Sequence, residues 1–251
     1  MREVLFHKPS SGQDITVYDT NEWDGEKGRF RLLEFGDQAM QGAMDLAIPD
    51  RVLFEYPRAI LHLMSLNIPN DERVFLIGHG IGTIARQLPE NRCTVAELEP
   101  EIAAISRTFF GYPYNNVLVG DGRRLLQAQA DASLGGLVLD AFTAKGTPSH
   151  LTSLEFFEEA RAKLSPEGAM LINLMGRGKQ DPGLCAVGTT LEAVFPYVVA
   201  FILPSEDKRA SISRHNVLLA AAAHPLHCEP RSMAGFIETK LEMGYVIRDG
   251  K

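Results

Sequence analysis

The chain has 251 residues, 45% of them hydrophobic and 23% charged, proportions that argue against a disordered, collagen-like or membrane-bundle protein. Twenty-five Lys and Arg against 32 Asp and Glu give a formal charge of −7, and no cluster of basic residues marks a phosphate-binding face, so no nucleic-acid partner is expected. No stretch approaches the roughly 20 apolar residues of a membrane span, and the first residues lack the apolar core of a secretion signal, so no membrane association and a cytoplasmic setting are expected.

In chain order, residues 1–60 read as strand-rich. Strands are expected at 15–18 and 30–35, separated by a polar, Gly-containing stretch over 19–28. RVLFEYPRAILHLMSL (51–66) carries its apolar residues at helical spacing, with Pro57 near the first turn. Residues 67–73 form a polar loop. This divides the chain into a small N-terminal β region with its leading helix (1–66) and a nucleoside-binding domain (67–251).

From Val74 a regular rhythm begins. Strands are expected at 74–77, 93–98, 117–119, 137–140 and 169–174, the last following a turn at 165–168. Helices are expected at 83–88, 101–109, 153–163 and 184–194. Strands at 197–203 and 216–222 suit an antiparallel edge hairpin around a polar loop at 204–215. Parallel strands need crossovers, so the alternation predicts an α/β fold with a Rossmann-like, doubly wound, mostly parallel sheet.

The most informative stretch is VFLIGHGIGTIARQLPENRCTVAELEPE. An apolar strand runs into Gly78, His79, Gly80, Ile81 and Gly82, where glycines let the backbone turn sharply and approach a ligand. Glu97 ends the next strand, at the distance where an acid meets ribose hydroxyls in dinucleotide folds. A dinucleotide fingerprint would carry Gly or Ala at the sixth loop position, where this chain has Thr83; that argues against a dehydrogenase. Asp121 in VGDGRRLL and Asp140 in LVLDAF end two further strands. Ligands of open α/β sheets bind beyond the carboxyl ends of the strands, so Glu97, Asp121 and Asp140 are expected to share one cleft.

The glycine loop, AELEP, VGDGRRLL, LVLDAF and LSPEGAMLINL, with QDITVYD and LLEFGDQAMQG near the start, resemble the spermidine synthase superfamily of polyamine aminopropyltransferases. That resemblance implies the class I S-adenosylmethionine-dependent methyltransferase fold with a small N-terminal β domain, a homodimer, and a donor that is S-adenosylmethionine or its decarboxylated form. Carried over by position, Gln13 and Gln38 would touch the nucleoside end of the ligand, Glu97 would hold the ribose, and Asp121 with Gly122 would bind the adenine amine. Asp140 would be the acid beside the attacking amine of a small-molecule acceptor. The chain departs from the family at two places: Ile81 stands where an Asp is usual in the loop, and Thr143 where a second Asp follows the catalytic one. Asp37, Glu55 and Glu155 are the acids available to compensate.

Tyr56, on the helix before the glycine loop, is expected to line the acceptor pocket. His79 is expected to face the methionine part of the donor, where an uncharged or cationic group suits a carboxylate, so that intact S-adenosylmethionine would be tolerated. The remaining histidines and Cys93, Cys185 and Cys228 show no metal-ligand spacing, and no metal is expected. Three functions fit these residues: an aminopropyltransferase-like enzyme, a small-molecule methyltransferase using the same pocket, and a non-catalytic nucleoside-binding or scaffold homologue.

Overall fold

A computed structural model describes residues 2–9, 14–36, 39–143, 146–204 and 214–250. Its N-terminal part is a four-stranded antiparallel sheet of β1 (Arg2–Lys8), β2 (Ile15–Trp23), β3 (Glu26–Phe35) and β4 (Ala39–Asp45), in that order. Strands β2 and β3 run further than expected and meet at a two-residue turn. Asp24 and Gly25 both take positive φ there (48° and 78°), the backbone that an Asp-Gly hairpin turn requires. The polar stretch between the two expected strands is therefore itself mostly strand.

This small sheet is apolar on both faces. Val17 and Leu33 pack with Ile81 of the glycine loop and with Ile102, Ile105 and Phe110 beyond. Tyr18, Leu32 and Ala43 pack on the opposite face under Leu53 and Phe54. A loop isoleucine thus ties the small sheet to the large one.

The large sheet has eight strands in the order β12-β10-β11-β9-β8-β5-β6-β7. Its parallel part comprises β5 (Arg73–Ile77), β6 (Cys93–Glu97), β7 (Val117–Val119), β8 (Leu134–Leu139) and the start of β9 (Leu164–Gly176). Strand β11 (His215–Ala222) lies antiparallel between β9 and β10 (Tyr197–Ile202), and β12 (Ile237–Thr239) adds antiparallel to β10. The expected C-terminal hairpin is present, but β12 rather than β10 forms the edge. The expected turn at 165–168 lies inside β9, where the register with β8 jumps from Leu134↔Leu164 to Gly136↔Ala169.

Helices cover both faces, which is why the strands read as unbroken apolar runs. Val74, Leu76 and Val138 point to the face covered by α1 (Glu55–Asn67) and α2 (Thr83–Arg86). Phe75, Ile77, Leu137 and Leu139 point to the face covered by α5 (Leu154–Lys163) and α6 (Pro182–Glu192). The remaining helices, α3 (Pro100–Thr108) and α4 (Gly122–Gln127), follow β6 and β7. Ser153 and Asp181 cap α5 and α6 by accepting backbone N–H bonds, and Asp121 caps α4 in the same way. Among the described residues no helix is long and apolar enough to cross a membrane.

Candidate active site

The carboxyl ends of β5, β6, β7 and β8 open onto a cleft of about 530 Å³, a size suited to a small organic ligand. Gly78, His79, Gly80, Glu97, Asp121, Gly122, Asp140, Tyr56 and Thr143 all line it. Gly82 does not; it caps the short helix α2, which ends at Arg86 rather than Leu88. Gln13 and Gln38 lie outside the described residues.

The glycine loop is held by close backbone contacts. Gly78 has φ +100°, and a β-carbon there would lie 2.1 Å from the carbonyl oxygen of Asp140. Gly82 has φ +84°, and a β-carbon there would strike the Tyr112 ring at 2.4 Å. Both positions demand glycine on conformation and on space. The loop is therefore pressed against the tip of β8, which brings Asp140 to the floor of the cleft.

Glu97 is 8% exposed and receives main-chain hydrogen bonds on both oxygens: His79 N donates to Oε2 at 3.0 Å and Glu99 N to Oε1 at 2.9 Å. Burial pushes its pKa up, and the N–H groups of Glu99, His79 and Gly80 counter that rise. The carboxylate is thus fixed to the loop that surrounds the cleft. Asp121 accepts from Arg124 N at 2.9 Å and lies 3.0 Å from His150 Nε2. Burial disfavours its ionised form, but the Arg124 N–H and His150 outweigh it, and the pKa falls below the ordinary aspartate value.

Asp140 differs from both. It opens partly to the cleft, yet its carboxyl is enclosed, and burial raises its pKa to about 6. Asn173 Nδ2 donates to Oδ1 at 2.9 Å and the Tyr56 hydroxyl donates to the same carboxylate, both restraining that rise. Burial and the neighbouring charge of Asp140 keep the Tyr56 phenol protonated, so it acts as a donor. A carboxyl poised near 6 can hold a proton or release it at physiological pH, as a general base must.

His79 corrects an expectation. Its backbone lines the cleft, but its ring turns into the protein, edge-on to Tyr112 with centroids 4.6 Å apart. Ser106 Oγ donates to Ala103 O at 2.9 Å, so the 2.8 Å contact between His79 Nε2 and Ser106 Oγ assigns the proton to Nε2. Burial first, then the charges of Arg107 and Arg86, drive the pKa down to about 4. The ring is a neutral wedge under the loop and offers no charge to a donor carboxylate. Ile81, at the position of the family's loop acid, is 4% exposed in the core beneath the small sheet.

Glu55 and Glu155 do not compensate for the missing acids. Glu55 pairs with Arg58 on the surface of α1, and Glu155 accepts from Asp249 N and pairs with Arg248. Asp37 lies outside the described residues. Thr143 Oγ1 donates to Gly146 O at 2.8 Å, closing the loop after β8. Sequence reasoning missed Asn173 and His150 as site residues. A lone polar residue in the apolar run LINL was the available signal for Asn173; nothing local marks His150. Among the described residues no group of three His, Cys, Asp or Glu side chains is placed to hold a metal.

No family model matches the chain. A polyamine aminopropyltransferase of Chromobacterium violaceum is 28% identical over 159 residues, covering 59% of this chain and 59% of that protein. A polyamine aminopropyltransferase of Vibrio vulnificus is 28% identical over 220 residues, covering 81% of this chain and 69% of that protein. The chain is similar to the polyamine aminopropyltransferases. The match thus spans under two thirds of the Chromobacterium protein's length. Among solved structures, a probable spermidine synthase from Corynebacterium glutamicum superposes with a TM-score of 0.81 at 20% identity, covering 98% of this chain and 96% of that one. Human methyltransferase-like protein 13 in complex with SAH gives 0.56 at 18% identity, covering 72% and 90%. These likenesses establish the α/β fold shared by spermidine synthases and methyltransferases.

Proposed function

We propose that the chain is a transferase that moves an aminopropyl or related group from S-adenosylmethionine or its decarboxylated form to a small-molecule amine. The observation that carries this reading is Asp140, a carboxyl poised near 6 at the floor of the cleft and oriented by Tyr56 and Asn173. Similarity to aminopropyltransferases supports it.

In this reading Glu97 takes the ribose hydroxyls, Asp121 and Gly122 the adenine edge, and the loop Gly78, His79 and Gly80 wraps the donor through its backbone, with Gly82 behind it at the start of α2. The amine nitrogen attacks the carbon next to the sulfonium. The carbon–sulfur bond breaks, its electron pair stays on sulfur as a neutral thioether, and Asp140 accepts the nitrogen's proton. Tyr56 fixes the carboxylate that receives it, and Thr143 borders the acceptor. The enzyme works in the cytoplasm, a setting that the free Cys93, Cys185 and Cys228 suit, and the resemblance implies a homodimer.

Methyl transfer from the intact donor is the second reading, favoured by the apolar Ile81 in the loop. Product analysis separates the two. Incubation with both donors and a mixture of amines should release methylthioadenosine; S-adenosylhomocysteine instead would assign methyl transfer. Neither product from either donor would sink both readings and leave a nucleoside-binding scaffold.

A further inference from the structure

Charge is spread unevenly over the cleft. Among the described residues five carboxylates line it, and four of them, Glu97, Glu99, Glu101 (paired with Lys8) and Asp121, end or follow β6 or β7, on one side of β5. On the other side, over β8 and β9, Asp140 is the one lining carboxylate among the described residues. Three positions on, Thr143 spends its hydroxyl proton on Gly146 O. The rest of that wall carries no carboxylate among the described residues: Tyr56, Ala141, Phe142, Pro148, Leu151, and His150, whose ring turns to Asp121. Glu55 and Glu155 do not line the cleft and pair with Arg58 and Arg248 at the surface.

We propose that the acceptor is a primary monoamine with an alkyl or hydroxyl far end, rather than a diamine or polyamine. The proposal rests on the transferase reading above. The reacting nitrogen meets Asp140 and gives up its proton there. A second ammonium along the same chain would lie against Phe142 and Leu151, with no carboxylate among the described residues to pair with. Removing an unpaired cation from water is costly, whereas an alkyl or hydroxyl end is accommodated by apolar contact or one hydrogen bond. Among the described residues the acceptor half of the cleft thus has one anionic seat.

The test compares butylamine, 4-aminobutanol and 1,4-diaminobutane, three acceptors of equal chain length. Decarboxylated S-adenosylmethionine is the donor and methylthioadenosine release the readout. At least one of the two monoamines should show a kcat/KM tenfold or more above that of the diamine. A diamine that equals or exceeds both monoamines overturns the inference and leaves the transferase reading standing; absence of methylthioadenosine with every amine overturns both. Thr143→Asp should raise the diamine-to-monoamine ratio at least tenfold, while Thr143→Asn leaves it unmoved. A ratio that Thr143→Asp fails to move, in a variant whose urea unfolding midpoint matches the wild type, contradicts the charge argument.

Discussion

Glu97 and Asp140 stand at the tips of β6 and β8, the two strands that flank β5, and burial raises the pKa of both. They differ in what holds them. Glu97 is gripped by main-chain N–H groups of the glycine loop and of the turn into α3. Asp140 is held by two side chains, Asn173 and Tyr56, from elements far apart in sequence. A carboxylate whose two oxygens accept backbone amides is part of the loop's conformation, and those N–H groups favour its ionised form against burial. One held by neutral side chains in an enclosed site can exchange a proton. Position on the sheet makes the two acids alike; in the proposed reading their hydrogen-bond partners divide them into a binding group and a base.

The largest expected effect breaks the base side of this contrast. Asp140→Asn should cut turnover by roughly a thousandfold, the scale of a lost general base, with methylthioadenosine affinity changed less than about threefold. Equal losses in turnover and binding would show Asp140 to be a binding group like Glu97.

His79 tests how the loop is braced for Glu97. Its folded pKa of about 4 lies below an unfolded value of about 6.5, so the unfolded chain binds the proton first as pH falls. The stability from the neutral ring is full above about 6.5 and drains away toward 4, by up to ~3 kcal/mol. Urea unfolding of the wild type between pH 7.5 and 4.5 should show that loss, and His79→Gln should flatten the slope. An unchanged slope would mean that the ring is not held neutral.

Glu97→Gln sharpens the binding side. It removes the charge and one of two acceptor oxygens, and methylthioadenosine affinity should fall about thirtyfold by calorimetry, or ~2 kcal/mol. The smallest effect is on the pH profile. Log kcat/KM should climb with unit slope below about 6 and level off above it, because the base must be ionised to accept a proton. Tyr56→Phe removes a donor to the charged form, so its midpoint should move upward. A midpoint that moves downward would contradict the hydrogen bond.

The strand-tip acids were legible because parallel strands carry their carboxyl ends to one side, so an apolar run ending in an acid already locates that acid. Glu97, Asp121 and Asp140 needed no further information. Side-chain direction was a different matter. The ring of His79 follows from the unusual φ angles of the neighbouring glycines and from Ser106 and Tyr112, which no local pattern connects to it. The Tyr56–Asp140–Asn173 contact joins α1, β8 and β9, and only the assembled sheet brings them together. Strands β1 and β12 and helix α4 escaped for a local reason: β1 is mostly exposed, β12 spans three residues and α4 less than two turns, too short for periodicity to show. At Asp24-Gly25 a turn signal was present, but the polar residues around it concealed the strands on either side.

A structure of the chain crystallised with methylthioadenosine tests the central claim most directly. The ribose hydroxyls should lie on the Glu97 carboxylate, the adenine edge beside Asp121, and the sulfur toward Asp140. A nucleoside seated elsewhere, or a cleft left empty with bound ligand outside it, would contradict the account.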